Sequence, residues 1–195
     1  MRKTVTYIHV RAISACSTRA ILTCGSVSVA CSLGRSGRSF LKKEGDGKSP
    51  VGIWALGQGY YRSDRQVRPQ TSLPLTPLRK GWGWCETAGD RNYNRMVDMP
   101  YATSHEELWR NDRLYDIVIE TSHNRRPRVQ GRGSAIFFHL ARPDYGATAG
   151  CIALSLKDMR KILAFCSPKT SLVIWPPGGQ PLNALRKWPN PPAHG

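Results

Sequence analysis

The sequence predicts a mainly β domain, sandwich-like, with one short helix late in the chain. Three observations carry that expectation. Most apolar runs are short and alternate with polar residues, the period of a half-buried strand. Eighteen glycines and 14 prolines punctuate the connections and leave little room for long helices. Helical spacing of apolar residues occurs clearly only after Cys151. At 195 residues and 40% hydrophobic content, the chain suits one domain. We place it over residues 1–175, with a Pro-rich tail, residues 176–195, expected to be mobile.

Residues 5–15, 19–24 and 27–33 read as strands. Gly25-Ser26 between the last two is a two-residue hairpin loop with glycine first, the type II′ preference. Residues 34–50, rich in Gly, Lys, Arg and Ser, read as an exposed loop, and residues 51–56 as a strand. Pro69, Pro74 and Pro77 exclude a continuous helix through residues 60–80. Trp82, Trp84 and the Asp90–Arg95 run form an aromatic and polar insertion. Trp84 could line a groove for peptide or sugar, or the tryptophans could pin a long loop to the core. Residues 105–109 suggest a short helix with Ser104 as N-cap. Residues 115–120 and 134–140 read as buried strands joined by a basic loop. Ser155, with Asp158 three residues on, approximates a capping box. Leu156, Met159, Ile162 and Leu163 then mark an amphipathic helix ending before Pro168, and residues 171–175 a last strand.

Lysine and arginine outnumber aspartate and glutamate 29 to 13, a formal charge of +16 that attracts polyanions. The basic residues are dispersed, and no zinc-finger or RNA-binding signature occurs, so no specific nucleic-acid partner is expected. The six cysteines form no C-x-x-C pair, which argues against structural zinc. Most of them read as small buried hydrophobes. No metal, nucleotide or flavin signature is present, and no cofactor is expected. No run approaches the roughly 20 apolar residues of a membrane span. The basic N-terminus alternates as a strand does and lacks the apolar centre of a secretory signal.

The chemistry concentrates in residues 136–154. His139 ends an apolar run, a polar loop follows, and Gly150-Cys151 leads back into apolar sequence. An imidazole and a thiol brought together at a sheet edge can perform nucleophilic cysteine catalysis. Glycine before the cysteine lets substrate approach and lets backbone N–H groups face a developing oxyanion.

This block resembles the active-site signature of L,D-transpeptidases, the cysteine enzymes that cross-link bacterial peptidoglycan. Thr148, Gly150 and Cys151 match its Ser/Thr-His-Gly-Cys pattern, and His139 matches the upstream histidine. Ala149 replaces the usual second histidine, and Ala153 the usual Arg or Asn. Lys48-Ser49-Pro50-Val51-Gly52-Ile53-Trp54 is similar to a second family segment, Thr-Pro-x-Gly-x-Phe.

The resemblance implies an L,D-transpeptidase-like β fold, Cys151 as nucleophile and His139 as general base oriented by a main-chain carbonyl. It implies an oxyanion site at the Gly150/Cys151 backbone, with Thr148 in an orienting role or simply capping its turn. Arg142 and Tyr145, in the intervening loop, either hold a substrate carboxylate or face solvent. Arg142 is a candidate for the positive charge absent at Ala153. His123 and Asn124 either approach the site across a hairpin or form a polar loop tip. The implied substrates are peptidoglycan stem peptides, and the implied location is the cell envelope or periplasm, against which the strand-like N-terminus stands. The reaction expected is transpeptidation through a thioester. The alternatives are carboxypeptidase or hydrolase action on the same peptides, or non-catalytic binding of polyanions.

Overall fold

The structure, a computed structural model, describes residues 4–178. The tail expectation falls largely on residues 179–195, outside the described residues. Fourteen strands and one helix follow in chain order: β1 (Tyr7–Ala12), β2 (Arg19–Cys24), β3 (Val27–Ser32), β4 (Arg38–Ser39), β5 (Ser49–Pro50), β6 (Gly52–Tyr61), β7 (Leu75–Pro77), β8 (Trp82–Cys85), β9 (Met96–Asp98), β10 (His105–Glu107), β11 (Ile117–Thr121), β12 (Phe137–Leu140), β13 (Ile152–Leu154), α1 (Leu156–Leu163) and β14 (Ser171–Ile174). The class is mainly β with one helix after the cysteine, as the sequence predicts.

The large sheet runs β11-β12-β13-β3-β2-β1-β14-β6-β7, and β11 also pairs with β6. That extra pairing closes eight strands into a barrel-like ring and removes two sheet edges. Alternation sorts each strand: Ile8 and Val10 of β1, Leu22 of β2, and Phe138 and Leu140 of β12 belong to the interior cluster. The β2–β3 hairpin turns through Gly25-Ser26, with Cys24 opposite Val27 and the positive φ of 58° on Gly25.

Helix α1 starts where expected. The Asp158 N–H donates to Ser155 Oγ at 3.1 Å, and Ser155 Oγ–H donates to the Asp158 carboxylate at 2.7 Å. Met159, Ile162 and Leu163 form its buried stripe. Among the described residues, no helix is long and apolar enough to cross a membrane.

Two local expectations are corrected. Residues 105–107 form β10 and not a helix, because they pair antiparallel with β8, His105 opposite Cys85 and Glu107 opposite Gly83. Ser104 caps no helix; its hydroxyl donates to Glu86 at 2.7 Å. The 34–50 segment is not a simple exposed loop. It contains the β4–β5 pair, and Lys42 and Ser49 within it are buried.

Strands β8, β9 and β10 form a separate small sheet. Its Trp84, with Leu108 just beyond β10, packs on the outer face of the barrel against Tyr60, Val118 and Phe137. Cys151 belongs to this second apolar cluster, so the thiol sits outside the barrel, near the small sheet.

Candidate active site

Strand alternation fixes which side chains meet. Phe138 and Leu140 face the barrel interior, so Phe137 and His139 face outward toward the small sheet. Strand β13 runs parallel to β12 with His139 opposite Ala153. Cys151 lies two positions before Ala153 and therefore shares the face of His139, one diagonal step away.

His139 Nδ1 lies 2.8 Å from the Leu140 carbonyl oxygen. A carbonyl only accepts, so Nδ1 carries the proton and Nε2 keeps a lone pair. Tyr115 packs edge-on against the imidazole, with ring centroids 5.2 Å apart. Burial pushes the His139 pKa down to about 4, with Arg110 adding in the same direction against the pull of the Leu140 carbonyl. The Cys151 thiol donates to the Ala135 carbonyl at 3.1 Å and accepts from the Phe137 N–H at 3.3 Å. Burial pushes its pKa up to about 12; the Phe137 N–H and Lys42 oppose that shift, and Glu106 adds to it. Both groups are therefore neutral at pH 7.

The turn before the cysteine is built for glycine. Gly150 has φ +141°, and a Cβ there would stand 2.7 Å from the Lys48 carbonyl oxygen. Lys48 opens the second family-like segment, so the fold brings the two sequence islands into contact. Thr148 Oγ1 accepts from the Gly150 N–H at 3.1 Å and donates to the Cys151 carbonyl at 2.7 Å. The Gly150 N–H is thus taken. Among the described residues, the Cys151 N–H has no loop or side-chain acceptor.

His139, Thr148 and Cys151 line one cavity of about 540 Å³, together with Arg142, Ala149 and Ala153. A model of the L,D-transpeptidase catalytic domain (YkuD) matches residues 14–174. The chain belongs to this family. No curated protein and no solved structure matches it. L,D-transpeptidases of this family are cysteine-dependent enzymes acting on peptidoglycan peptides.

Against that family pattern, Ala149 and Ala153 leave small side chains on the cavity wall where the resemblance implies His and Arg or Asn. The remaining predicted site residues are dispersed. Arg142 is exposed at the cavity rim. Tyr145 is half-buried with φ 54°; its N–H donates to the Arg142 carbonyl, and its carbonyl accepts from Ser32 Oγ, outside the cavity lining. His123 and Asn124 line a different groove of about 890 Å³ with Phe40, Leu41 and Trp54. Trp84 is buried, stacked edge-on against Phe137 at 5.0 Å between centroids, with its indole N–H donating to Asn94. Its ring does not reach the cavity.

Lys42, Glu106, Arg110 and Tyr115 are among the lining residues that escaped the sequence reading. Glu106 and Arg110 are paired at 2.7 Å, and burial still raises the Glu106 pKa despite that partner. Burial holds Tyr115 well above the ordinary phenol range, so it stays a hydrogen-bond donor. None of the four lies near the His/Cys block in sequence, and a linear motif carries no signal for them.

Proposed function

We propose that this protein is an L,D-transpeptidase acting on peptidoglycan stem peptides through a Cys151 thioester. The observation that carries the reading is the shared outer face of β12 and β13. One anchored imidazole, with Nδ1–H on a carbonyl, lines the same cavity as one buried thiol.

The proposed reaction starts from the neutral pair. Substrate entry turns Sγ off the Ala135 carbonyl, and His139 Nε2 takes the thiol proton as sulfur attacks the peptide carbonyl carbon after the L-centre of a diaminopimelate-type residue. The carbonyl oxygen becomes an oxyanion facing the Cys151 N–H; one such donor is typically worth roughly 3–4 kcal/mol. Collapse breaks the C–N bond, and the departing D-alanine amine takes the proton from His139. An amine of a second stem peptide then attacks the thioester, passes its proton to His139 and restores the Cys151 thiol. Thr148 holds the turn, Gly150 lets the backbone pass Lys48, and Arg142 offers a rim contact for a substrate carboxylate.

The acceptor is tested by incubating the full chain with a tetrapeptide donor and a stem-peptide amine and separating the products. A cross-linked peptide with release of D-alanine supports transpeptidation. Free tripeptide alone moves the assignment to a carboxypeptidase, and no D-alanine release at all contradicts the reading.

A further inference from the structure

Lys42 lies outside both family-like segments, yet it lines the Cys151 cavity. It is 5% exposed, an unusual place for a lysine unless its charge is paired. Its ammonium donates to Asp46 at 2.5 Å and to the Lys43 carbonyl at 2.7 Å. An ammonium has three N–H donors, so one remains. Lys42 lines the Cys151 cavity, and Asp46 does not. The cationic member of the pair thus shares the cavity wall with Cys151, and its charge acts on the thiol.

The stem is fixed as well. A Cβ built on Gly150 would touch Lys42 Cε at 3.5 Å, and one built on Gly133 would press on Cγ at 2.9 Å. The ammonium is thus held beside the residue that precedes the nucleophile, by walls and an anchor formed before any substrate arrives. Position 153, also on the cavity wall, is alanine and carries no charge. The other charged groups facing the cavity are Arg35, Arg110 and Arg142 against Glu44, Glu86 and Glu106. These are equal in number, and Arg110 is already committed to Glu106 and Asp112 at 2.7 and 2.5 Å. The remaining groups at the thiol, His139 and Tyr115, are neutral at pH 7.

We propose that Lys42 is the fixed positive charge of the site, stabilising the thiolate and the oxyanion formed at Cys151 and offering its third N–H to a substrate oxygen. This rests on Cys151 being the nucleophile, as argued above. Its effect on the thiol itself can be read without any transpeptidase substrate. Asp46 tunes the charge, since it partly neutralises the ammonium from the side away from the cavity.

The experiment measures the rate of Cys151 alkylation by iodoacetamide between pH 7 and 9, with the adduct located by peptide mass mapping. The proteins are wild type, Lys42→Met, Lys42→Arg and Asp46→Asn, each checked for folding by its melting transition. Lys42→Met removes the charge, lowers the thiolate fraction and should slow alkylation about tenfold at each pH, one pKa unit being a factor of ten. Lys42→Arg should stay near wild type, and Asp46→Asn should speed alkylation. Acylation by a carbapenem-type agent at pH 7 should slow about tenfold in Lys42→Met alone. Unchanged alkylation rates in a folded Lys42→Met overturn the proposal and leave Lys42 as loop packing. If Lys42→Met does not fold, Asp46→Asn decides by the sign of its change in rate, and no change or a slower rate overturns the proposal. The expected alkylation changes with no acylation in any protein would retain Lys42 as the charge beside Cys151 and remove the transpeptidase reading instead.

Discussion

The protein places two buried histidines beside two concave surfaces, and only one of them is set up for chemistry. Burial pushes both His123 and His139 down to about 4. His139 fixes Nδ1 on a carbonyl and lines a cavity that also holds a thiol. His123 bonds through Nε2 to the Arg132 carbonyl at 3.0 Å, while its Nδ1 is buried with no partner. It stands edge-on to Trp54 at 4.7 Å in a groove without a cysteine. The comparison teaches that a depressed histidine pKa marks burial, and that the neighbour decides whether the free nitrogen can act.

The sharpest way to break the comparison is to remove each histidine. His139→Ala should slow Cys151 acylation on the order of a thousandfold, within the range for loss of a general base. His123→Ala should change it by less than about threefold, in line with a residue outside the site. Comparable losses from the two, at matched folding, would join the second groove to the site.

Next in size is Gly150→Ala. The new methyl would meet the Lys48 carbonyl at 2.7 Å in a backbone region that L-residues rarely adopt. Displacing the Cys151 N–H by a fraction of an ångström should cost on the order of a hundredfold in acylation rate. A variant with near wild-type rate would mean that the turn is not what sets the oxyanion site.

A third test uses acid. Both histidines bind a proton more readily unfolded, near 6.5, than folded, near 4. Stability should therefore be fully present above pH 6.5 and fall as pH drops toward 4, by about 3 kcal/mol for each histidine. Chemical denaturation at several pH values reads the loss, and His123→Ala should remove about half of it. An acid limb of acylation below pH 6 belongs with the same shift in His139, and a limb near 6.5 would contradict it.

The smallest effect separates rim from bulk charge. Arg142→Ala should raise KM about fivefold through a partly exposed carboxylate contact. Arg128→Ala, which lines neither surface, should leave it unchanged.

Much of the reactive block was legible in the sequence because it is local. Strand, loop, glycine and cysteine lie within residues 136–154, and a period of two tells which side chains share a face. The hairpin glycine and the Ser155 cap were readable for the same reason. What was not readable depends on pairing between distant segments. Residues 105–107 look helical in isolation, but they become a strand because β8 offers them a partner. Trp84 resembles a groove residue in a linear list of aromatics, yet it turns inward once the small sheet docks on Phe137. Lys42 lies more than a hundred residues from Cys151 in sequence. It reaches the cavity because the 34–50 segment folds in beside Gly150, with the Gly34 N–H donating to Ser49 Oγ at 2.9 Å and Gly34 bridging to Thr148.

The most direct test of the account is the intact mass of wild type, Cys151→Ala and His139→Ala after exposure to a carbapenem-type acylating agent at pH 7. The account predicts one covalent adduct on Cys151 in wild type, none in Cys151→Ala, and only a trace in His139→Ala over the same interval. An adduct that persists in Cys151→Ala, or forms equally fast without His139, would contradict the assignment of nucleophile and base.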